Sequence, residues 1–165
     1  MMAIEKLRDE LQECGLPSAL EVMGDRWSFM ILRAAFNGVR HFEQFLDELG
    51  IARNILSNRL ARLVDVGILM REPCADDRRR VEYRLTEKGY DLLPTMLALR
   101  QWGEKWQLGV ASDPVLCDAR DGRPIAPVTI RAHDDRVLGP GELAWRHRAD
   151  VVADEKADEK ATTAA

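Results

Sequence analysis

Two short amphipathic helical patterns lie within residues 42–66, and only about three residues separate them. The first carries apolar residues at positions i, i+3, i+4 and i+7, the spacing of one buried helix face: Phe42, Phe45, Leu46 and Leu49. Gly50 follows, and glycine readily adopts the left-handed backbone conformation at which helices end. In the second pattern, Leu56, Leu60 and Leu63 project to one side. Two helices joined by so tight a turn predict a helix-turn-helix.

A β-hairpin is predicted directly after the second helix, which ends at Gly67. Its strands occupy residues 68–73 and 81–85, and the second strand alternates apolar and polar side chains. A long helix from Thr86 to about Trp106 follows, which Pro94 should kink unless its first turns form a separate segment. The sequence therefore predicts a mostly α fold with a small β-hairpin wing (α+β), a winged helix-turn-helix.

Three further helices are predicted ahead of this unit. A short amphipathic helix occupies about residues 4–11, a second runs through Met23, and a third covers residues 26–36 with Asp25 as its N-cap. The domain plan is then a winged-helix and dimerisation domain over residues 1–106 and a C-terminal extension over 107–149. The extension carries a small hairpin around Asp121-Gly122, and residues 150–165 are expected to be a disordered tail.

Several function classes are excluded by what the sequence lacks. No apolar run approaches a membrane span and the N-terminus lacks a signal peptide's apolar region, so we expect a cytoplasmic protein without membrane association. The widely spaced Cys14, Cys74 and Cys117 predict free thiols. No phosphate-binding loop, HExxH or GxSxG motif occurs, so we expect neither enzyme activity nor a cofactor. Cys117 and His133 would supply two ligands at most, so no metal site is expected.

The outward face of the second helix carries side chains that suit double-stranded DNA. Its N-terminal half, the part that enters the major groove in this fold, presents Arg53, Asn54, Ser57 and Asn58. Asparagine can pair bidentately with adenine and arginine with guanine, whereas serine can bond a base or a phosphate. Arg62 is expected to meet the DNA backbone. Arg59 lies nearer the core, where an internal ion pair or a capping bond competes with a phosphate contact. An ordinary solvated helix face is the alternative for the whole set.

The hairpin tip, residues 74–80, adds a second cationic element: Arg78, Arg79 and Arg80. Three arginines can straddle phosphates or enter a narrow minor groove. The alternatives are a solvated loop partly neutralised by Asp76-Asp77 and, for Arg80, an inward orientation. The net charge of −4 argues against a protein that coats nucleic acid, but residues 53–62 hold three arginines and no acid.

The chain resembles the HxlR-type winged-helix regulators, relatives of the MarR group. The motifs run in order from about Cys14 to Trp106: Cys14-Gly15-Leu16-Pro17, Gly24-Asp25-Arg26-Trp27, Phe42-Glu43-Gln44-Phe45, Leu56-Ser57-Asn58-Arg59-Leu60, Gly67-Ile68-Leu69, residues 81–89 and Trp102-Gly103. The resemblance implies a bacterial, sequence-specific transcription factor. It also implies a homodimer, formed by the N-terminal helix and the 86–106 helix, that reads a pseudo-palindromic operator.

The resemblance has three further consequences. Cys14 matches a position at which several members of that family sense oxidants or electrophiles, which implies redox sensing and an oxidant or small-molecule effector; a structural role is the alternative. Ala52 stands where the family commonly has serine, so a cap or phosphate contact is missing. The alternative function is a winged-helix module that binds a protein partner through the same surfaces, without specific DNA binding.

Overall fold

The structure, a computed structural model, describes residues 14–74, 77 and 79–153. Three predicted features lie outside these residues: the helix at residues 4–11, the side chain of Arg78, and the tail beyond residue 153. The described residues form two compact units, divided between Pro124 and Ile125.

Helices dominate the first unit, and one hairpin interrupts them. The elements in chain order are α1 (Gly15–Met23), α2 (Arg26–Phe36), α3 (Phe42–Leu49), α4 (Arg53–Asp65), β1 (Leu69–Pro73), β2 (Val81–Leu85), α5 (Glu87–Tyr90) and α6 (Leu93–Gly103), followed by a π-helical segment (Glu104–Leu108). This arrangement confirms the predicted winged helix-turn-helix. No helix among the described residues is both long and apolar enough to span a membrane.

Local chemistry sets the helix ends where the sequence placed them. Asp25 Oδ1 accepts the backbone N–H groups of Trp27 at 3.0 Å and Ser28 at 3.1 Å, so it caps α2 as predicted. Gly50 ends α3 in the left-handed conformation, with φ 57° and ψ 30°. Ala52 precedes α4 without a side-chain cap, as the missing serine implied.

The core lies where α4 meets α2 and α3. Each of the three helices contributes side chains that are at most 1% exposed: Ile31, Leu32, Phe45, Leu56, Leu60 and Leu63. Because Leu56, Leu60 and Leu63 hold one face of α4 in the core, the opposite face of that helix is turned toward solvent.

The hairpin, which we call the wing together with its tip, is antiparallel with Leu69 opposite Leu85 and Pro73 opposite Val81. Its strand β2 is anchored to the rest of the unit at the middle and at the end of the strand. The Tyr83 N–H donates to the carbonyl oxygen of Arg40 at 2.8 Å, and the buried Leu85 joins the core.

The turn after β2 packs closely against the junction of α4 and β1. The Thr86 hydroxyl donates to the Gly67 carbonyl at 2.6 Å and accepts the Gly89 N–H at 3.2 Å. A Cβ atom at position 89 would lie 2.4 Å from the Ile68 carbonyl oxygen, closer than carbon and oxygen can approach. Glycine is therefore required at position 89, and the base of the wing is held against the end of α4.

The long helix expected over residues 86–106 is divided into separate segments, which was the alternative to a kink at Pro94. Its first turns form the separate α5, and Pro94 lies in the first turn of α6, where a missing N–H leaves no hydrogen bond broken. Three apolar side chains on α6 and the π-helical segment, Leu99, Trp102 and Trp106, are more than half exposed.

The predicted extension has less strand structure than expected. The hairpin around Asp121-Gly122 is reduced to one isolated bridge between Cys117 and Pro124, and residues 125–130 form no strand. The second unit contains one bridge between Arg131 and Val137, a 3-10 turn (Pro140–Glu142) and a helical segment at residues 148–153, which includes the first residues of the predicted tail.

Candidate nucleic-acid interface

Three polar side chains on α4 face solvent without an internal partner. Asn54, Ser57 and Asn58 are exposed, and none of the hydrogen bonds or ion pairs within the described part of the chain involves their side chains. Asn54 and Asn58 lie opposite the buried leucines on the same helix, and Ser57 lies to one side of them. Their amide and hydroxyl groups are therefore available to base edges, as the sequence predicted.

Arg53, the fourth predicted base-reading residue, is engaged by the preceding helix. Its Nη1 and Nη2 donate to Glu43 Oε1 and Oε2 at 2.9 and 2.8 Å, and its guanidinium lies 5.2 Å from the ring centre of Phe42. The hydrogen bonds from Arg53 lower the pKa of Glu43, and those to Glu43 raise the pKa of Arg53. Both side chains are about two-thirds exposed. Arg53 therefore bridges the two helices of the helix-turn-helix across the turn.

Arg62 is also held within the protein. Its Nη2 donates to the carbonyl oxygen of Glu21, which lies in the last turn of α1. A cation is favourable there because carbonyl groups at a helix C-terminus carry partial negative charge. The residue predicted to meet the DNA backbone thus ties α4 to α1 in this structure.

The alternatives left open for Arg59 are resolved by an ion pair. Its Nε lies 3.3 Å from Asp25 Oδ1, with each side chain about one-third exposed. Burial raises the pKa of Asp25, but hydrogen bonds from Ser28 and Trp27 and the charge of Arg59 lower it overall. Arg59 therefore stabilises the cap of α2 and does not project with the polar face of α4.

The described part of the hairpin tip presents two arginines to solvent. Arg79 and Arg80 are exposed, so the inward orientation considered for Arg80 is not adopted. Asp77 organises the turn: its Oδ1 accepts the Arg79 N–H at 2.9 Å and its carbonyl accepts the Arg80 N–H at 2.9 Å. Within the described residues neither guanidinium has an acidic partner.

Cys14, the predicted redox-sensing residue, occupies the N-cap of α1. It is exposed and makes no side-chain capping bond. Its thiol is therefore accessible to solutes.

A cavity of about 340 Å³ lies between α2, α6 and residues 112–116. Phe36, Met96 and Leu97 line its apolar wall, and Arg33 supplies positive charge, whereas Arg100 pairs with Glu104 Oε1 at 2.9 Å. Its volume falls at the lower end of the range of about 300–1,000 Å³ for small-molecule sites.

One cluster was missed by the sequence reasoning. His41, Cys74 and Glu82 bring potential metal-ligating atoms within 4.8 Å of one another. They come from the residue before α3, the residue after β1 and from β2, so no local motif marks them. The expectation of no metal site had weighed only Cys117 and His133.

A tight pair of helices, a second helix with a solvated polar face and a two-stranded wing define the winged helix-turn-helix class of proteins. Residues 22–109 match the model of one family in that class, described as HxlR-like helix-turn-helix. The chain belongs to this family.

Relatives of known sequence are described as HTH-type transcriptional regulators. The uncharacterized HTH-type transcriptional regulator Mb3122 of Mycobacterium bovis is 46% identical over 105 residues, which cover 64% of this chain and 66% of the relative. The match therefore spans just under two thirds of that relative's length. The uncharacterized HTH-type transcriptional regulator sll1512 of Synechocystis sp. is 33% identical over 94 residues, 56% of this chain and 70% of the relative.

Two solved structures, one described as a transcription factor and one as a redox regulator, are also similar to this chain. The crystal structure of PA1607, described as a candidate transcription factor, superposes with a TM-score of 0.74 at 36% identity, over 81% of this chain and 94% of that one. The redox regulator HypR in its oxidized form gives a TM-score of 0.52 at 31% identity, over 56% of this chain and 96% of that one.

Proposed function

We propose that this protein is a transcriptional regulator that binds double-stranded DNA sequence-specifically. The observation that carries the proposal is the unpartnered polar face of α4, formed by Asn54, Ser57 and Asn58. A helix held by its leucines and presenting amide groups to solvent suits the major groove, where asparagine can read adenine through two hydrogen bonds.

The arginines contribute in different ways. Arg79 and Arg80 contact phosphates or the minor groove from the wing, and Arg78 is proposed to join them. Arg53 reaches a guanine by exchanging its Glu43 partner, and Arg62 reaches a phosphate by leaving the Glu21 carbonyl. Each exchange replaces a solvent-exposed contact within the protein with a contact to DNA. Because DNA is a polyanion, such contacts are strongest at low salt.

The proposed assembly is a homodimer on a pseudo-palindromic operator. Leu99, Trp102 and Trp106 are 52–63% exposed on α6 and the following π-helical segment. Contiguous exposed apolar surface of this kind marks interaction sites, and two-fold symmetry is the commonest arrangement of a self-complementary surface. The helix expected at residues 4–11 would complete the interface. A regulator of bacterial genes would act in the cytoplasm.

We further propose that an oxidant or small molecule modulates the activity. The exposed Cys14 supports an oxidant, and the structural neighbour HypR is itself described as a redox regulator. The cavity between α2 and α6 supports a small anionic or aromatic effector, because it combines apolar walls with the guanidinium group of Arg33.

Selection from a randomised duplex library, followed by titration of the enriched duplex, tests the base-reading role. Asn54→Ala and Asn58→Ala are each expected to weaken specific binding by about 1–3 kcal/mol. Asn37→Ala is the matched control, because it removes the same amide from the end of α2. Equal affinity of all three variants and the wild type would overturn the assignment of α4.

A protein-binding module is the second candidate, and the net charge of −4 favours it. The two functions differ in their response to salt. A DNA-binding protein loses affinity for duplexes steeply as ionic strength rises, because counterions are released on binding. A weak affinity for duplexes that does not change with salt concentration would favour the protein-binding module.

A further inference from the structure

His41, Cys74 and Glu82 form a cluster that the proposed DNA contacts do not use. His41 Nδ1 lies 4.0 Å from Cys74 Sγ, and a carboxylate oxygen of Glu82 completes a set of atoms within 4.8 Å of one another. Cys74 is 2% exposed and the Glu82 side chain 18%. Three chemically different ligand groups therefore converge at a site largely shielded from solvent.

The combination of thiolate, imidazole and carboxylate suits Zn²⁺ better than a hard cation, because Mg²⁺ and Ca²⁺ prefer all-oxygen sites. A tetrahedral ion with bonds of about 2.0–2.3 Å holds its ligand atoms roughly 3.3–3.6 Å apart. The Nδ1–Sγ distance of 4.0 Å exceeds this range by about 0.4 Å, and separations of up to 4.8 Å exceed it by at most about 1.5 Å, differences that side-chain rotation can close. Three protein ligands would leave a fourth position for water.

The surrounding contacts are compatible with coordination. Glu82 Oε2 accepts a hydrogen bond from Arg84 Nε at 2.8 Å, an outer contact that would orient the carboxylate toward an ion. His41 Nδ1 lies 3.1 Å from the Val81 carbonyl oxygen, which can only accept, so this nitrogen carries the proton here. On coordination Nδ1 would give up this proton and its hydrogen bond to Val81, and the imidazole would carry its proton on Nε2 instead.

We propose that His41, Cys74 and Glu82 bind one Zn²⁺ ion and that this ion fastens the wing to the start of α3. Binding joins Zn²⁺ to the neutral imidazole, the ionised carboxylate and the thiolate, and it releases the thiol proton without any change of oxidation state. The ion would link the residue before α3 to both arms of the hairpin. It would thereby order the tip that carries Arg79 and Arg80.

Co²⁺ is the direct probe, because a cobalt ion bound by a thiolate gives a near-ultraviolet charge-transfer band and intense visible bands when tetrahedral. We expect the metal-free full chain to develop both with one Co²⁺ per chain, and Zn²⁺ to abolish them. Cys74→Ser should remove the charge-transfer band, whereas the matched Cys117→Ser should retain it. Absence of the band from the wild type, or its persistence in Cys74→Ser, would overturn the site.

Glu82→Gln provides a second test, because it changes a partly exposed side chain and not the buried thiol. It should weaken Zn²⁺ binding at least about tenfold, since removal of a residue that merely orients a ligand already costs ten- to hundredfold. Equal Zn²⁺ affinity in wild type and Glu82→Gln would remove Glu82 from the ligand set.

The coupling to the wing has its own readout. The Cys74 N–H donates to the Arg80 carbonyl at 3.0 Å across the tip, so amide exchange at Cys74 reports on the order of the tip. Zn²⁺ should slow that exchange in the wild type and leave it unchanged in Glu82→Gln. Unchanged exchange despite bound Zn²⁺ would refute the fastening role, and none of these results depends on whether the protein binds DNA.

Discussion

Gly89→Ala tests whether close backbone packing fixes the wing to the end of α4. A new Cβ atom would lie 2.4 Å from the Ile68 carbonyl oxygen, roughly 0.9 Å inside a normal carbon–oxygen contact of about 3.3 Å. That carbonyl cannot move freely, because it accepts hydrogen bonds from the Thr86 N–H at 3.1 Å and the Thr86 hydroxyl at 3.2 Å. Overpacking of this kind costs about 1–3 kcal/mol of unfolding free energy.

Helix propensity alone would make Gly89→Ala stabilising, whereas the close contact with the Ile68 carbonyl makes it destabilising. In an open helical position, alanine is more favourable than glycine by about 1 kcal/mol. Gly103→Ala is the matched control, since a Cβ there meets no atom within 4 Å and the backbone is helical, with φ −63° and ψ −42°.

Thermal unfolding at one fixed protein concentration measures both variants. For a chain of this size, Gly89→Ala should lower Tm by roughly 2–12 °C, at about 2–4 °C per kcal/mol. Gly103→Ala should leave Tm unchanged or raise it slightly. A Gly89→Ala protein as stable as the wild type would refute the close packing at the base of the wing.

Individual side chains give three further predictions. Asp25→Ala should lower the free energy of unfolding by about 0.5–2 kcal/mol through the lost α2 cap, as urea titration would show. The folded-state pKa of Asp25 lies below its ordinary value of 3.8, so its contribution to stability is present above that pH and declines as pH falls through the folded pKa. The stability of Asp25→Ala should therefore depend less on pH in this range. Leu60→Ala should cost about 2–5 kcal/mol, whereas Ala61→Ser on the exposed face should change stability by less than about 0.5 kcal/mol; similar destabilisation by both would contradict the burial of Leu60. Replacing Arg79 and Arg80 with alanine should reduce the slope of log affinity against log salt by about 0.9 for each phosphate that is no longer neutralised, and an unchanged slope would remove the wing from the DNA-binding surface.

The sequence allowed prediction of those features that depend on local pattern. The spacing of Leu56, Leu60 and Leu63 predicted a buried stripe, and all three are at most 1% exposed. The left-handed end at Gly50 and the cap at Asp25 were predicted for the same reason, because each depends on neighbours within four residues. Solvent exposure of Asn54 and Asn58 followed from their position opposite the stripe.

Contacts between residues distant along the chain could not be predicted in this way. The carbonyl that receives Arg62 lies 41 residues earlier, and Cys74 meets His41 across 33 residues. Arg53 and Glu43 are ten residues apart, but their pairing depends on the angle between two helices. Periodicity gives the face on which a side chain lies and leaves open which partner the fold brings to it.

The most direct test of the central claim compares two duplexes of equal length and composition. Fluorescence anisotropy would measure wild-type binding to the duplex enriched by library selection and to its shuffled counterpart, at several salt concentrations. If α4 reads bases, the selected duplex should bind on the order of a thousandfold more tightly than the shuffled one at physiological salt. Equal affinity for the two duplexes at every salt concentration would contradict a sequence-specific regulator.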